Sequence, residues 1–185
     1  MSQIRAEAID FASFYLGAQG RSKMNSAEPT SGTYALVLQA TAGESMQIGR
    51  LGKLELRPGF YVYVGSAFGP GGVRARLRHH LKQAARPHWH IDYLRPTTRL
   101  VEIWYSHDEA VHEHAWAAGI RRMRSASTPL PGFGSSDCRC PSHLSFHARR
   151  PSTRSLRRAL RRSLPRNAVL HRITAPECVA TAGAG

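Results

Sequence analysis

Apolar residues run almost unbroken through positions 33–40, where Tyr34, Ala35, Leu36, Val37 and Leu38 follow one another, and this pattern predicts a β-strand. Positions 60–64, Phe-Tyr-Val-Tyr-Val, predict a second strand of aromatic and β-branched types. The segment between them carries Gly43, Gly49, Gly52 and Pro58-Gly59, short and turn-rich enough for the two strands to pair antiparallel. Over 73–85 the period changes. Val73, Leu77 and Leu81 fall four apart, and Arg74, Arg76, Arg78, His79, His80 and Lys82 fill the rest, which predicts an amphipathic basic helix opened by Gly69-Pro70-Gly71-Gly72. A third strand is expected at 100–105 and a second helix at 109–123, where Val111, Ala115, Ala118 and Met123 fall broadly on one side. The fold class that follows is α/β (α+β): a small, mainly antiparallel three-stranded sheet flanked by helices.

Outside this region the patterning weakens. Positions 1–31 close on Asn25-Ser26-Ala27-Glu28-Pro29-Thr30-Ser31, turn formers with no apolar stripe, and are expected to be a flexible N-terminal extension. Met24, just before that run, is a second candidate start. The domain is expected to span 32–148, ending with the glycine-rich loop Pro131-Gly132-Phe133-Gly134-Ser135-Ser136-Asp137-Cys138 and the short apolar piece Leu144-Ser145-Phe146. From Arg149 onward nine arginines stand against one acidic residue, Glu177, a composition that does not bury enough apolar area to order by itself. Residues 149–185 are therefore expected to be an Arg-rich, largely disordered tail, in which Leu156, Leu160 and Leu164, four apart, would support a basic amphipathic helix on a polyanion. There is no internal repeat, and 185 residues suit one domain with tails.

Composition adds a partner class. Lys and Arg number 26 against 12 Asp and Glu, a formal net charge of +14, and such a potential favours polyanions by releasing their counterions. Nucleic acid leads, although a basic surface also docks on anionic lipid; charge sets the partner and not the reaction. The three cysteines are odd in number and two of them, Cys138 and Cys140, are near neighbours, so a disulfide framework is not expected. A reducing, cytoplasmic setting fits. The stretch 1–20 mixes Arg5, Glu7 and Asp10 with its apolar residues, unlike a signal peptide or a membrane span.

The candidate chemistry begins with Tyr34 in Gly32-Thr33-Tyr34 and Tyr63 in Tyr63-Val64-Gly65, followed by Arg76 and His80 on the predicted basic helix. Taken singly, a strand tyrosine is ordinary packing and a helix arginine a solvated charge; the set points to phosphodiester cleavage. That reaction needs a deprotonated water, a stabiliser of negative charge on the phosphate and help for the leaving oxygen. Arg76 suits the second need as a permanent planar donor, and Mg²⁺ on a lone carboxylate, completed by waters and phosphate oxygens, suits the third. A tyrosine titrates near pH ~10, so it serves as a base near neutrality only if positive charge lowers it; Arg74, Arg76, Arg78 and the metal are expected to supply that charge.

The two tyrosine motifs, their spacing and the arginine that follows resemble the GIY-YIG nuclease superfamily. Tyr63-Val64-Gly65-Ser66-Ala67-Phe68-Gly69-Pro70-Gly71-Gly72, His88-Trp89-His90-Ile91-Asp92-Tyr93-Leu94 and Gly132-Phe133-Gly134-Ser135-Ser136-Asp137-Cys138 narrow the resemblance to its Uri-type branch, the DUF123 domain, over 32–146. Thr33 and Val64 stand in place of the two motif isoleucines, and a bulkier Phe-Gly-Pro-Gly-Gly loop precedes the helix; no functional side chain is lost. The resemblance implies a metal-dependent endonuclease that hydrolyses DNA phosphodiester bonds in DNA repair or processing, using one Mg²⁺ or Mn²⁺. It makes Tyr34 and Tyr63 the residues that hold and help deprotonate the attacking water, and Arg76 the family arginine. His80 follows Arg76 at i+4 on the same helix face and would assist proton transfer or contact phosphate. Glu113, in Glu113-His114-Ala115-Trp116-Ala117, matches the single metal-binding glutamate, with Glu109 as the competing choice. Nucleases of this kind often borrow specificity from a partner protein.

Other residues carry weaker expectations. Arg74, Arg78 and Lys82 are either solvated charges or phosphate-positioning contacts. His88, Trp89, His90 and Asp92 either line a nucleic-acid groove or orient a catalytic group, or else form a packed corner where the chain enters a strand. Cys138, Cys140, His143 and His147 have metal-capable side chains, but Cys-x-Cys-x-x-His lacks the second spaced pair of a zinc site. Structural zinc is therefore not expected, and the family resemblance makes this stretch a closing loop in which Ser135, Ser136 and Asp137 hydrogen-bond locally. The rival readings are a non-catalytic nucleic-acid-binding module of the same fold and an RNA-directed activity, which the lack of an aromatic stacking platform disfavours.

Overall fold

The computed structural model describes residues 31–82, 86–161 and 169–174; the expected N-terminal extension at 1–30, with the alternative start at Met24, lies outside them. The apolar run at 33–40 becomes β1, Gly32–Ala40, and its apolar character is unbroken because it is an inner strand with a neighbour on each side. Side chains alternate across a strand. Tyr34, Leu36 and Leu38 therefore enter one core, while Ala35 and Val37 enter a second core on the opposite face. The expected turn-rich connection contains a hairpin of β2, Glu44–Ile48, and β3, Gly52–Leu56, which forms a separate two-stranded ribbon. The chain returns as β4, Gly59–Ser66, antiparallel to β1 with Tyr34 opposite Gly65 and Leu36 opposite Tyr63. β5, Arg99–His107, takes the other side of β1.

The sheet is larger than the three strands expected. β6, Ala126–Ser127, β7, Leu144–His147, and β8, His171–Thr174, extend it to six strands in the order β6-β7-β4-β1-β5-β8, each pair antiparallel. These additions are two to four residues long, too short to show a period-2 pattern. The expected strands form the middle of the sheet, where burial on both faces demands apolar sequence.

Among the described residues four helices cover the two faces. α1, Gly72–Leu81, starts after Gly71, which has φ of 77° and where a Cβ would lie 2.8 Å from that of Ala75; this left-handed turn is the reason for glycine there. α2, His90–Leu94, runs into a 3₁₀ turn at Arg95–Thr97, and α3, Glu113–Arg121, precedes β6. α4, Thr153–Leu160, is capped by Ser152, whose Oγ accepts from the Ser155 amide at 3.2 Å. Val73, Leu77 and Leu81 of α1 with Ile91 and Leu94 of α2 cover the tyrosine face; Trp116 and Ile120 of α3 with Leu156 and Leu160 of α4 cover the other.

Three expectations change in detail. The second helix begins at Glu113 rather than 109, and the His-Trp-His run enters α2 rather than a strand. Asp92 directs that entry: its Oδ2 accepts from the amides of His88 and Trp89, each at 2.9 Å, which caps the helix start. The basic segment after Arg149 was expected to be largely disordered, yet its described residues supply α4 and β8. Composition counted only the segment's own apolar area, whereas the domain offers a surface on which Leu156 and Leu160 become fully buried, each stabilising by ~1.5–3 kcal/mol. β8 is tied in by Arg172, which donates to buried Glu102 at 2.6 Å alongside Arg150 at 3.1 Å and Trp104 Nε1 at 2.7 Å. Leu164 lies outside the described residues.

Candidate active site

The antiparallel register of β1 and β4 places Tyr34 and Tyr63 on one face of the sheet. The Tyr34 ring lies directly over Gly65, and a Cβ at that position would collide with its hydroxyl and ring carbons. Glycine after Tyr63-Val64 is thus the space that Tyr34 occupies. α1 delivers His80 to both phenols: Tyr34 Oη is 2.6 Å from His80 Nε2, and the Tyr63 ring stands edge-on to the imidazole at 6.2 Å. One turn earlier, Arg76 shares the helix face and sets its guanidinium 4.7 Å above the Trp89 ring. Trp89 also packs against His79 at 4.3 Å and His80 at 5.7 Å. Arg95, buried behind α1, donates Nε to the His80 carbonyl at 3.1 Å and so fixes the last turn of the helix.

The electrostatics of this cluster differ from the sequence expectation. Burial pushes the Tyr34 hydroxyl well above its ordinary value, with Tyr63, Glu113 and Asp92 adding to the rise and Arg76 opposing it. Tyr63 is raised by burial, then by Glu113 and Asp92, again against Arg76. Of the charges expected to lower the phenols, Arg76 acts on both, but desolvation outweighs it. His80 moves the other way: burial first, then neighbouring His79, bring it down to about 3. Near neutral pH the Tyr34–His80 pair is therefore uncharged on both sides.

Glu113 opens α3, and its influence on both phenols places it in the same electrostatic site. Its Oε1 lies 3.0 Å from His143 Nδ1, with the carboxylate side chain 18% exposed. An oxygen donor that is partly open to solvent and close enough to raise both phenols fits a hard divalent cation, which Glu113 would hold with waters and phosphate oxygens completing the shell. Glu109, the competing choice, is exposed and precedes the helix.

The remaining candidates separate. Arg74, Arg78, Lys82 and His88 are exposed, as phosphate-contacting or merely solvated charges would be. His90 is engaged by the glycine-rich loop: its Nδ1 accepts from the Gly134 amide at 2.9 Å and its ring packs on Phe133 at 5.4 Å, so it anchors that loop. His147 sits apart from the cysteines, with Nε2 3.0 Å from Ser145 Oγ. Two residues take positioning roles, one that the sequence left open and one that it did not assign. Trp89 supplies a flat surface for Arg76, and His143 holds Glu113. The His-Trp-His motif marked the first; nothing local to Glu113 marked the second.

A six-stranded antiparallel sheet with a tyrosine pair on one face and a basic helix packed across it defines a small mixed α/β domain with a buried polar cluster. Residues 33–165 match the family model described as Domain of unknown function DUF123, and the chain belongs to that family. No curated protein and no solved structure matches it. Among the described residues no helix is long and apolar enough to cross a membrane.

Proposed function

We propose that this protein is a metal-dependent endonuclease of the GIY-YIG type, Uri-like branch, that hydrolyses DNA phosphodiester bonds in repair or processing. The observation that carries the reading is the 2.6 Å contact between Tyr34 Oη and His80 Nε2, made in a cluster that also contains Tyr63, Arg76 and Glu113. With Nε2 unprotonated, His80 accepts the Tyr34 O–H and leaves the phenol oxygen lone pairs free to accept from a water. Tyr63 offers a second such oxygen. Because both phenols titrate above their ordinary range and His80 far below its own, neither tyrosine acts as an independent base at neutral pH; their part is to hold and aim the water. Arg76, its plane fixed on Trp89, donates to the phosphate oxygens on which charge accumulates. Glu113 would hold a divalent cation, which when bound would supply charge neutralisation at the phosphate and leaving oxygen and a lowered pKa for bound water.

DNA as substrate is supported by the +14 charge and by a second basic feature on the opposite side of the sheet. Arg122, Arg124, Arg149, Arg150, Arg158 and Arg161 line a groove of about 1560 Å³, suited to sequence-independent phosphate contact.

A non-catalytic binding module is the alternative, favoured by the 3.0 Å contact that already engages Glu113 with His143. The deciding experiment is cleavage of labelled single-stranded, duplex and branched DNAs with Mg²⁺ or Mn²⁺, comparing wild type with Arg76→Ala and Glu113→Ala. The expected outcome is metal-dependent cutting that both substitutions abolish with DNA binding retained. Tight binding by all three proteins with no cutting would favour the module.

A further inference from the structure

Four side chains outside the proposed chemistry converge at one edge of the sheet. His114 follows Glu113 on α3; Cys138, Cys140 and His143 lie on the 128–143 loop that leads into β7. Each offers one donor atom within 4.8 Å of all the others. His114 Nδ1 is 3.2 Å from Cys140 Sγ, and His143 Nε2 is 3.5 Å from Cys138 Sγ. Around a tetrahedral zinc ion the separations between sulfur and nitrogen ligands are about 3.4–3.8 Å, set by bond lengths of about 2.3 Å to sulfur and about 2.0–2.1 Å to nitrogen. The cluster is close to that geometry.

We propose that His114, Cys138, Cys140 and His143 form a structural zinc site that staples the 128–143 loop to α3. The sequence pattern lacked a second ligand pair because the fourth ligand comes from a helix well upstream, and only the packing of α3 against the loop brings it in. The loop itself has a need for the staple. It runs from β6 to β7 without a helix or strand of its own, held by turn hydrogen bonds such as Cys138 N to Ser135 O at 3.3 Å and His143 N to Phe133 O at 2.8 Å; ordered loops of that length are uncommon without a special reason.

The charge balance is that of a stable site. Two thiolates side by side need compensating positive charge. Zinc supplies it: two thiol protons leave to solvent, two thiolates and two neutral imidazoles coordinate, and the site is neutral overall. The other nitrogen of His143, Nδ1, lies 3.0 Å from Glu113 Oε1, the carboxylate–histidine–metal arrangement that fixes a ligand's tautomer. Zinc at Nε2 would place the hydrogen on Nδ1, the nitrogen 3.0 Å from Glu113 Oε1. This last consequence rests on the proposed nuclease reading; the zinc site does not.

The test uses the full chain purified without a metal-binding tag. Elemental analysis is expected to find one zinc per chain, and Co²⁺ exchanged into the site is expected to give intense tetrahedral d–d bands with thiolate-to-cobalt charge transfer. Cys178→Ser keeps both signals, whereas Cys138→Ser, Cys140→Ser and His114→Ala lose stoichiometric metal. Absence of zinc together with a weak octahedral cobalt spectrum in the folded wild type overturns the proposal, as does loss of the signal in Cys178→Ser. The wild-type spectrum decides even if the cysteine variants fail to fold. Arg76→Ala is expected to retain zinc while losing cleavage, and a protein that binds zinc but never cuts DNA would count against the nuclease reading alone.

Discussion

Tyr34 and His80 lie 46 residues apart in sequence, yet their Oη and Nε2 atoms meet at 2.6 Å in a setting where each residue is almost closed to solvent. Tyr34→Phe keeps the ring and removes this contact. The expected result is cleavage slower by about 10²–10⁴-fold, unchanged DNA affinity, and a stability loss of ~1–3 kcal/mol from the unpaired imidazole nitrogen. Single-turnover rates beside urea unfolding decide it. A variant that is less stable but cuts at the wild-type rate would remove Tyr34 from the mechanism.

Arg76 and Trp89 should behave as a unit, since the guanidinium is stacked 4.7 Å over the indole. A lysine keeps the charge but neither the fork nor the stack, so Arg76→Lys is expected to cut as poorly as Arg76→Ala. Trp89→Ala is expected to lower the cleavage rate without much change in binding. Exposed Arg74 and Arg78 should show the reverse, a weaker and less salt-dependent affinity with kcat kept. Full rescue by lysine would reduce Arg76 to a simple phosphate contact.

Acid should destabilise the fold through buried histidines. His80 is brought down to about 3 and His147 to about 4, in both cases first by burial. Each stays neutral in the folded state from pH ~6.5 down to its own lowered value, a range in which its unfolded form takes up a proton, so the unfolded chain binds more protons and stability falls as pH drops. The window runs from about 6.5 down to about 4 for His147 and further for His80, with ~1.4 kcal/mol per pH unit for each at full slope. Urea unfolding at a series of pH values is expected to show a shallower dependence in His147→Gln. An identical slope would mean that His147 is protonated in the folded protein.

The C-terminal segment should matter for stability as well as for charge. Leu160 is 1% exposed against α3, and Leu160→Ala is expected to cost ~2–5 kcal/mol. Truncation after Arg149 removes α4, β8 and the arginines on Glu102 together, and thermal denaturation is expected to register a large loss. If the truncated chain melts with the wild type, α4 contributes nothing to the core.

The arginine groove is testable without touching the core. Arg122→Ala, Arg124→Ala and Arg158→Ala are each expected to reduce the slope of log affinity against log salt by up to ~0.7–0.9, with the cleavage rate at saturating DNA unchanged. Unaltered slopes in all three would place the DNA elsewhere on the surface.

Local sequence determined the inner strands and the basic helix, because an element buried on both faces or along one stripe must carry that constraint in its own residues. Tyr34, Leu36 and Val37 read as a strand for this reason, and the four-residue step from Arg76 to His80 was enough to put them on one helix face. The glycine beside Tyr63-Val64 was legible as a motif, while its cause, the Tyr34 ring lying over Gly65, is a cross-strand contact. Tertiary structure alone decided what depends on surfaces meeting. It ordered the described part of the arginine-rich segment by giving Leu156 and Leu160 a face to cover, and raised the tyrosines by burying them more completely than nearby arginine could offset. It also joined His114 to a loop whose own three ligands looked incomplete. Those outcomes turn on desolvation and on distances between segments far apart in the chain, which no local pattern of residues contains.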